Sequence, residues 1–290
     1  MRVLVTGHRG LVGAPVAEFL RDQGFEVVGF DRVDGEDLLD LAAVRQAVAG
    51  CSAVVHLAAV PHDTAGTPEQ IMAVNVLGTW HVLLAAEQAG VDRVIYFSST
   101  QVLGIAGGEA LPDYFPVDDA HPRRAARPYG LSKRLCEDMC EAFTARVGIP
   151  TLALRPVWVW KPGQYQVMAE RWRAEPSREW EPFWEYGAFV DVRDVATAVH
   201  AALTVPLHGH HRALLCASRI TGTEPALELA ARLAPDVPVK DQARYQDDPW
   251  TALIDCAVAR TLLHWQPVHQ WPDGHAEPDG HAEPERQKAV

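Results

Sequence analysis

A chain of 290 residues, 48% hydrophobic and 22% charged, holds enough apolar side chains to bury a large core without disulfides or a metal. Its formal net charge of −12 argues against binding nucleic acid or anionic membranes through charge. Five cysteines (Cys51, Cys136, Cys140, Cys216 and Cys256) without a C-x-x-C pair read as free buried thiols of a reducing compartment, and Cys136 with Cys140 supplies too few ligands for a metal.

The opening MRVLVTGHRG lacks the charged lead, apolar core and cleavage site of an export signal. No apolar run reaches the roughly 18 residues a membrane span needs, so a cytoplasmic protein is expected. Residues 2–6 read as a strand and 11–23 as a helix, with a glycine-rich turn between them. A second strand at 26–30, a helix at 42–49, a third strand at 53–57 and a long helix at 69–89 follow. Further on come a strand at 93–97, a helix at 133–147 and a strand at 151–154. Strands alternating with helices at this spacing imply parallel pairing through right-handed crossovers, hence an α/β, doubly wound sheet.

Beyond about residue 156 the rhythm loosens. Trp158, Trp160, Trp172, Trp180 and Trp184 crowd together, either as a substrate-stacking wall or as the core of a smaller region, before helices at about 192–204 and 224–234. His208, His210 and His211 sit between Pro and Gly without neighbouring acids and read as a solvated loop. The hexapeptide PDGHAE occurs twice in succession from Pro272, too polar to order itself by burial, so a disordered tail is expected over 272–290.

Two constellations carry chemistry. In Thr6-Gly7-His8-Arg9-Gly10-Leu11-Val12-Gly13 the glycines let the backbone approach a pyrophosphate, and the helix that follows directs its unpaired N–H groups at that anion. Asp31, 18 residues beyond Gly13, is placed to accept both ribose hydroxyls of an adenosine and to repel a 2′-phosphate, which favours NAD over NADP. Arg32 beside it has the opposite tendency.

These features, with Asp40-Leu41, His56-Leu57-Ala58-Ala59, Asn75 in NVLGTWHVL, FSST at 97–100, YGLSK at 129–133, Arg155-Pro156 and FVDVRDVATAV at 189–199, resemble the extended short-chain dehydrogenases/reductases, the nucleotide-sugar epimerase/dehydratase family. The resemblance covers most of residues 1–267 and ends on ALIDCAVARTLLHWQP at 252–267. It implies a Rossmann-type doubly wound parallel sheet over 1–156, with contributions from about 189–205, and a smaller C-terminal substrate-binding domain over 157–271. It assigns Gly7, Arg9, Gly10, Leu11, Val12, Gly13, Asp31 and Arg32 to the cofactor, Asp40 and Leu41 to the adenine end, and Leu57, Ala58 and Ala59 to the groove. Asn75, Ser98 and Pro156 join the same set. A homodimer through the helix after Gln70 and the helix of Tyr129, with Ala73, Ala85, Ala86, Ala89 and Ala142 at the contact, is implied as well.

Tyr129 and Lys133 lie four residues apart, so a helix beginning near Pro128 puts them on one face, about 5 to 6 Å apart at Cβ. A phenol is too weak an acid to act as a base at neutrality. A neighbouring ammonium and the cationic nicotinamide would make it more acidic. Tyr129 then exchanges a proton with a substrate oxygen, Lys133 also holds the nicotinamide ribose, and Thr100 directs the same oxygen.

The family pattern also breaks. Gln101 and Val102 replace the Asp-Glu pair of dehydratases, which disfavours loss of water. Trp158 and Lys161 replace an Asn and a Gly on the substrate side, and Gly187 stands where epimerases carry an arginine that grips a diphosphate. Arg244 matches a later phosphate-binding arginine. The expected function is an NAD-dependent, sugar-modifying oxidoreductase or epimerase acting on a sugar or sugar-nucleotide. Alternatives are a net dehydrogenase/reductase of a non-nucleotide carbonyl or sugar acid, and a dinucleotide-sensing regulator, against which the retained Thr100, Tyr129 and Lys133 argue.

Overall fold

The computed structural model describes residues 1–106, 108–174, 186–221 and 224–271. The chain opens with β1 (Arg2–Thr6), α1 (Gly13–Asp22), β2 (Glu26–Phe30), α2 (Leu41–Val48) and β3 (Ala53–His56). Where apolar spacing predicts one helix over 69–89, α3 (Pro68–Ile71) and α4 (Gly78–Ala89) are joined by a π-helical turn, Met72–Leu77. Then come β4 (Arg93–Phe97), α5 (Pro128–Val147), β5 (Thr151–Pro156), β6 (Val159–Trp160), α6 (Pro162–Ala174), β7 (Val190–Asp191), α7 (Val192–Thr204), β8 (His210–Leu215), α8 (Ala226–Leu233) and α9 (Ala257–Leu262).

Six strands form one parallel sheet in the order β2-β1-β3-β4-β5-β8. Its inner strands read as unbroken apolar runs because both faces are covered. Val3, Val5, Val55, Leu152 and Leu154 face a core shared with Val16 of α1 and Val195 of α7. Leu4, Val54 and Ala153 face the opposite core, with Val44 of α2, Val82 of α4 and Phe143 of α5. From β1 the chain first winds outward to β2 and then returns to β3 on the other side. That reversal leaves a crevice at the carboxyl ends of β1 and β3, the usual ligand position in such sheets.

β8 departs from the loop expected around the three histidines. His210 and His211 begin the outer strand, with His210 beside Thr151 and its Nδ1 2.7 Å from the threonine hydroxyl. Burial, and then Arg212, lower the His210 pKa to about 4, so it is a neutral, half-buried strand residue rather than part of a solvated loop. Its flanking Gly209 and a run of only a few apolar residues disguise the strand. β8 and α7, from the loosely patterned half of the sequence, thus complete the main sheet and one of its covering layers.

Over the sheet, β6 and β7 pair in parallel, and Trp160, 1% exposed, packs with Phe189, Tyr165, Trp158 and Trp271 at centroid distances of 4.7 to 5.7 Å. Trp160 is therefore core. The side chain of Trp172, and Trp180 and Trp184, lie outside the described residues, as does 272–290. Buried Asp194 at the start of α7 accepts the backbone N–H groups of Val268 and His269 at 3.2 and 2.9 Å, tying down the segment after α9. All five cysteines are buried and none forms a disulfide. No described helix is long and apolar enough to cross a membrane, and no cluster of metal-ligating side chains occurs among the described residues.

Candidate active site

The glycine turn after β1 is built for close approach. Gly7 has φ +73°, and a Cβ there would stand 2.7 Å from the Ala58 nitrogen, while one on Gly13 would stand 2.0 Å from the Gly7 oxygen. No side chain caps α1, and its first turn carries no acid. An uncapped helix end facing glycines that admit no side chain fits a pyrophosphate. Leu11 is exposed and Val12 half-buried beside it.

At the end of β2, the Asp31 carboxylate accepts the backbone N–H groups of Arg9 and Val33, both at 3.0 Å, which fixes it beside the turn. Arg32 is exposed. Asp40 caps α2 by accepting from Ala42 and Ala43, and Leu41 is the first residue of that helix. Across the crevice, half-buried Leu57, Ala58 and Ala59 follow β3, with the Leu57 N–H on the Thr6 carbonyl and the Ala58 N–H on the Thr6 hydroxyl.

A chain of buried polar groups runs behind this crevice. His56 bridges the hydroxyls of Thr6 and Thr79 at 2.7 and 3.0 Å. Burial, assisted by Lys133, lowers the His56 pKa to about 3, so it is a neutral link. Asn75, inside the π-helical turn, accepts from the Val60 N–H and donates to the Val60 carbonyl and the Ser132 hydroxyl, which in turn donates to the Tyr129 carbonyl. The glycine turn, the loop after β3 and the start of α5 are thereby held in one register.

The three residues assigned to chemistry are brought together. A Cβ on Gly130 would lie 2.8 Å from the Gln101 carbonyl, so the turn carrying Thr100 packs directly on the turn carrying Tyr129. Thr100 is buried and donates to the Pro156 carbonyl at 3.1 Å. Lys133, only 3% exposed, donates to the Phe97 carbonyl at 2.7 Å, with Nζ 5.8 Å from the Tyr129 ring centroid and 5.0 Å from that of Tyr96. Burial lowers its pKa to about 8, against the pull of Cys136 and Glu137.

Ser98 turns away from the crevice: its hydroxyl donates to Glu137, 2.7 Å away. Glu137 is fully buried on α5 and clasped by Arg155 through two 2.8 Å bonds; burial raises its pKa, but Arg155 and Ser98 outweigh this and hold it below the usual range. Glu137 follows Lys133 by four residues, a spacing that already marks it as sharing that helix face. Asp63 carried no such signal, yet its carboxylate accepts the Tyr129 N–H at 2.8 Å. Arg244, matched in sequence to a phosphate-binding arginine, is paired with Asp255 at 3.1 Å.

Comparison with known proteins agrees with this geometry. Uronate dehydrogenases from Pseudomonas syringae pv. tomato and Pseudomonas putida are 32% and 37% identical over 53% of this chain, which spans 58% and 59% of their lengths. A short-chain dehydrogenase/reductase superfamily protein from Agrobacterium tumefaciens, solved with bound NAD, shares the fold with a TM-score of 0.70 at 24% identity, over 93% of this chain and 94% of that one. The model of the NAD dependent epimerase/dehydratase family matches residues 3–215. With the glycine turn, the parallel sheet and the Tyr129–Lys133 helix under that match, the chain belongs to the NAD dependent epimerase/dehydratase family.

Proposed function

We propose that the protein is an NAD-dependent oxidoreductase that oxidises a hydroxyl-bearing carbon of a sugar acid. The observation that carries the chemistry is the buried Lys133 ammonium, anchored on the Phe97 carbonyl beneath the Tyr129 ring, with Thr100 on the adjoining turn. Two features favour a sugar acid over a nucleotide sugar: the two similar uronate dehydrogenases, and the weak provision for a diphosphate, with glycine at 187 and Arg244 already paired with Asp255.

The residues divide the work. NAD, held by Gly7, Arg9, Gly10, Leu11, Val12 and Gly13 with Asp31 at its ribose, supplies a hydride acceptor. The Thr100 hydroxyl swings from the Pro156 carbonyl to the substrate oxygen and fixes its direction. Tyr129, with the Lys133 ammonium beside its ring, takes the proton from that hydroxyl as its carbonyl forms. Lys133 also holds the nicotinamide ribose. Leu57, Ala58, Ala59 and Pro156 line the groove, Asp40 and Leu41 border the adenine, and Ser98 contributes through its backbone.

Purified protein given NAD and a uronic acid should form NADH, read by near-ultraviolet absorbance. Absence of NADH with uronic acids, together with interconversion of UDP-sugars at constant NAD, would establish the epimerase reading instead. A homodimer through α4 and α5 belongs to this proposal, with Ala73, Ala89 and Ala142 available; Ala85 and Ala86 are buried within the chain. Light scattering at micromolar concentration tests it.

A further inference from the structure

The ribose end of the crevice carries an arginine and a histidine beside Asp31. Arg9 stands in the glycine turn itself, and His8 precedes it. The His8 ring lies so close over β2 that a Cβ on Gly29 would be 2.6 Å from it. Both side chains converge on one carboxylate. Asp34 accepts from Arg9 Nε at 3.1 Å and Nη2 at 2.9 Å, a two-point clasp, and one of its oxygens is 3.2 Å from His8 Nε2. The backbone N–H of the same Arg9 donates to Asp31, the residue set to receive the ribose hydroxyls. The arginine therefore starts at the ribose and is drawn away from it by Asp34.

We propose that Asp34 is a second determinant of cofactor choice, holding Arg9 in an ion pair, with the His8 ring in contact with the same carboxylate, and so denying that guanidinium to the 2′-phosphate of NADP. Asp31 disfavours that phosphate by occupying its position with negative charge, whereas Asp34 acts by withholding a counter-charge. A guanidinium is suited to two-point recognition of either a carboxylate or a phosphate, so the two compete for one fork. The proposal rests on the cofactor assignment above.

The test measures dissociation constants for NAD and NADP by calorimetry at one ionic strength, in the unaltered protein, Asp34→Ala, Asp34→Asn and Asp34→Ala/Arg9→Ala. Asp34→Ala should tighten NADP binding relative to NAD by roughly fivefold, the scale of a partly exposed ion pair. Asp34→Asn, which keeps the shape and loses the charge, should move the ratio the same way. Adding Arg9→Ala should abolish the gain. An unchanged NADP to NAD ratio in both single variants, as when Asp31 captures the freed guanidinium, overturns the proposal; so does a gain that survives Arg9→Ala. Binding of neither dinucleotide by the unaltered protein overturns the cofactor assignment itself, and the proposal with it.

Discussion

The carboxylate of Asp63, in the loop after β3, accepts the backbone N–H of Tyr129 at 2.8 Å, while the residue preceding α5, Arg127, provides no side-chain cap. The helix bearing Tyr129 and Lys133 is thus capped from across the crevice. Asp63→Ala should cost about 1 kcal/mol of stability, as loss of a cap does, and should lower turnover more than it weakens NAD binding. Asp63→Asn retains an acceptor and should recover most of both. Thermal unfolding and steady-state kinetics check the pair, and equal damage from both substitutions would mean that charge, rather than capping, is what matters.

Tyr129→Phe removes one oxygen and leaves the ring beside Lys133. Turnover should fall by about 10² to 10⁴, the range for a lost acid–base group, with NAD affinity retained. A variant keeping a tenth of its activity with an unmoved pH profile would place the proton path elsewhere.

Lys133 gives a pH signature in the ligand-free protein. Its pKa is lowered from 10.5 to about 8 by burial, so the folded chain loses this proton before the unfolded chain does. Between those two values the unfolded state binds more protons, and stability gains a contribution as pH rises from about 8 towards 10.5. NAD affinity should move oppositely, weakening above pH 8 as the ammonium is lost. Lys133→Met should flatten both trends, as read by chemical denaturation and calorimetry across that range.

The buried pair of Glu137 and Arg155 should behave asymmetrically. Glu137→Leu strands a guanidinium that is 1% exposed and should cost about 3 to 5 kcal/mol. Glu137→Leu/Arg155→Leu removes both charges and should be less destabilising than the single change, as measured by urea unfolding.

Much of the nucleotide half was legible because its signals are local. The GHRGLVG turn, the apolar strands and the spacing of Tyr129 and Lys133 each declare themselves within a few residues. What sequence conceals are pairings set by the sheet. Arg9 meets Asp34 because β1 and β2 are neighbours, and Asp63 reaches Tyr129 from 66 residues away. β8 escaped notice because an edge strand opening on two histidines lacks the apolar run of the inner strands. α6 begins at Pro162, and proline is well suited to a helix's first position, but the residues after it carry no clear apolar stripe to announce a helix.

The grip of Asp194 on Val268 and His269 has a consequence for how the chain matures. During synthesis α7 emerges more than sixty residues before the N–H groups that satisfy its buried carboxylate. The carboxylate therefore acquires its full set of partners only once the segment after α9 has been made, so the late segment completes the layer of the sheet that α7 begins.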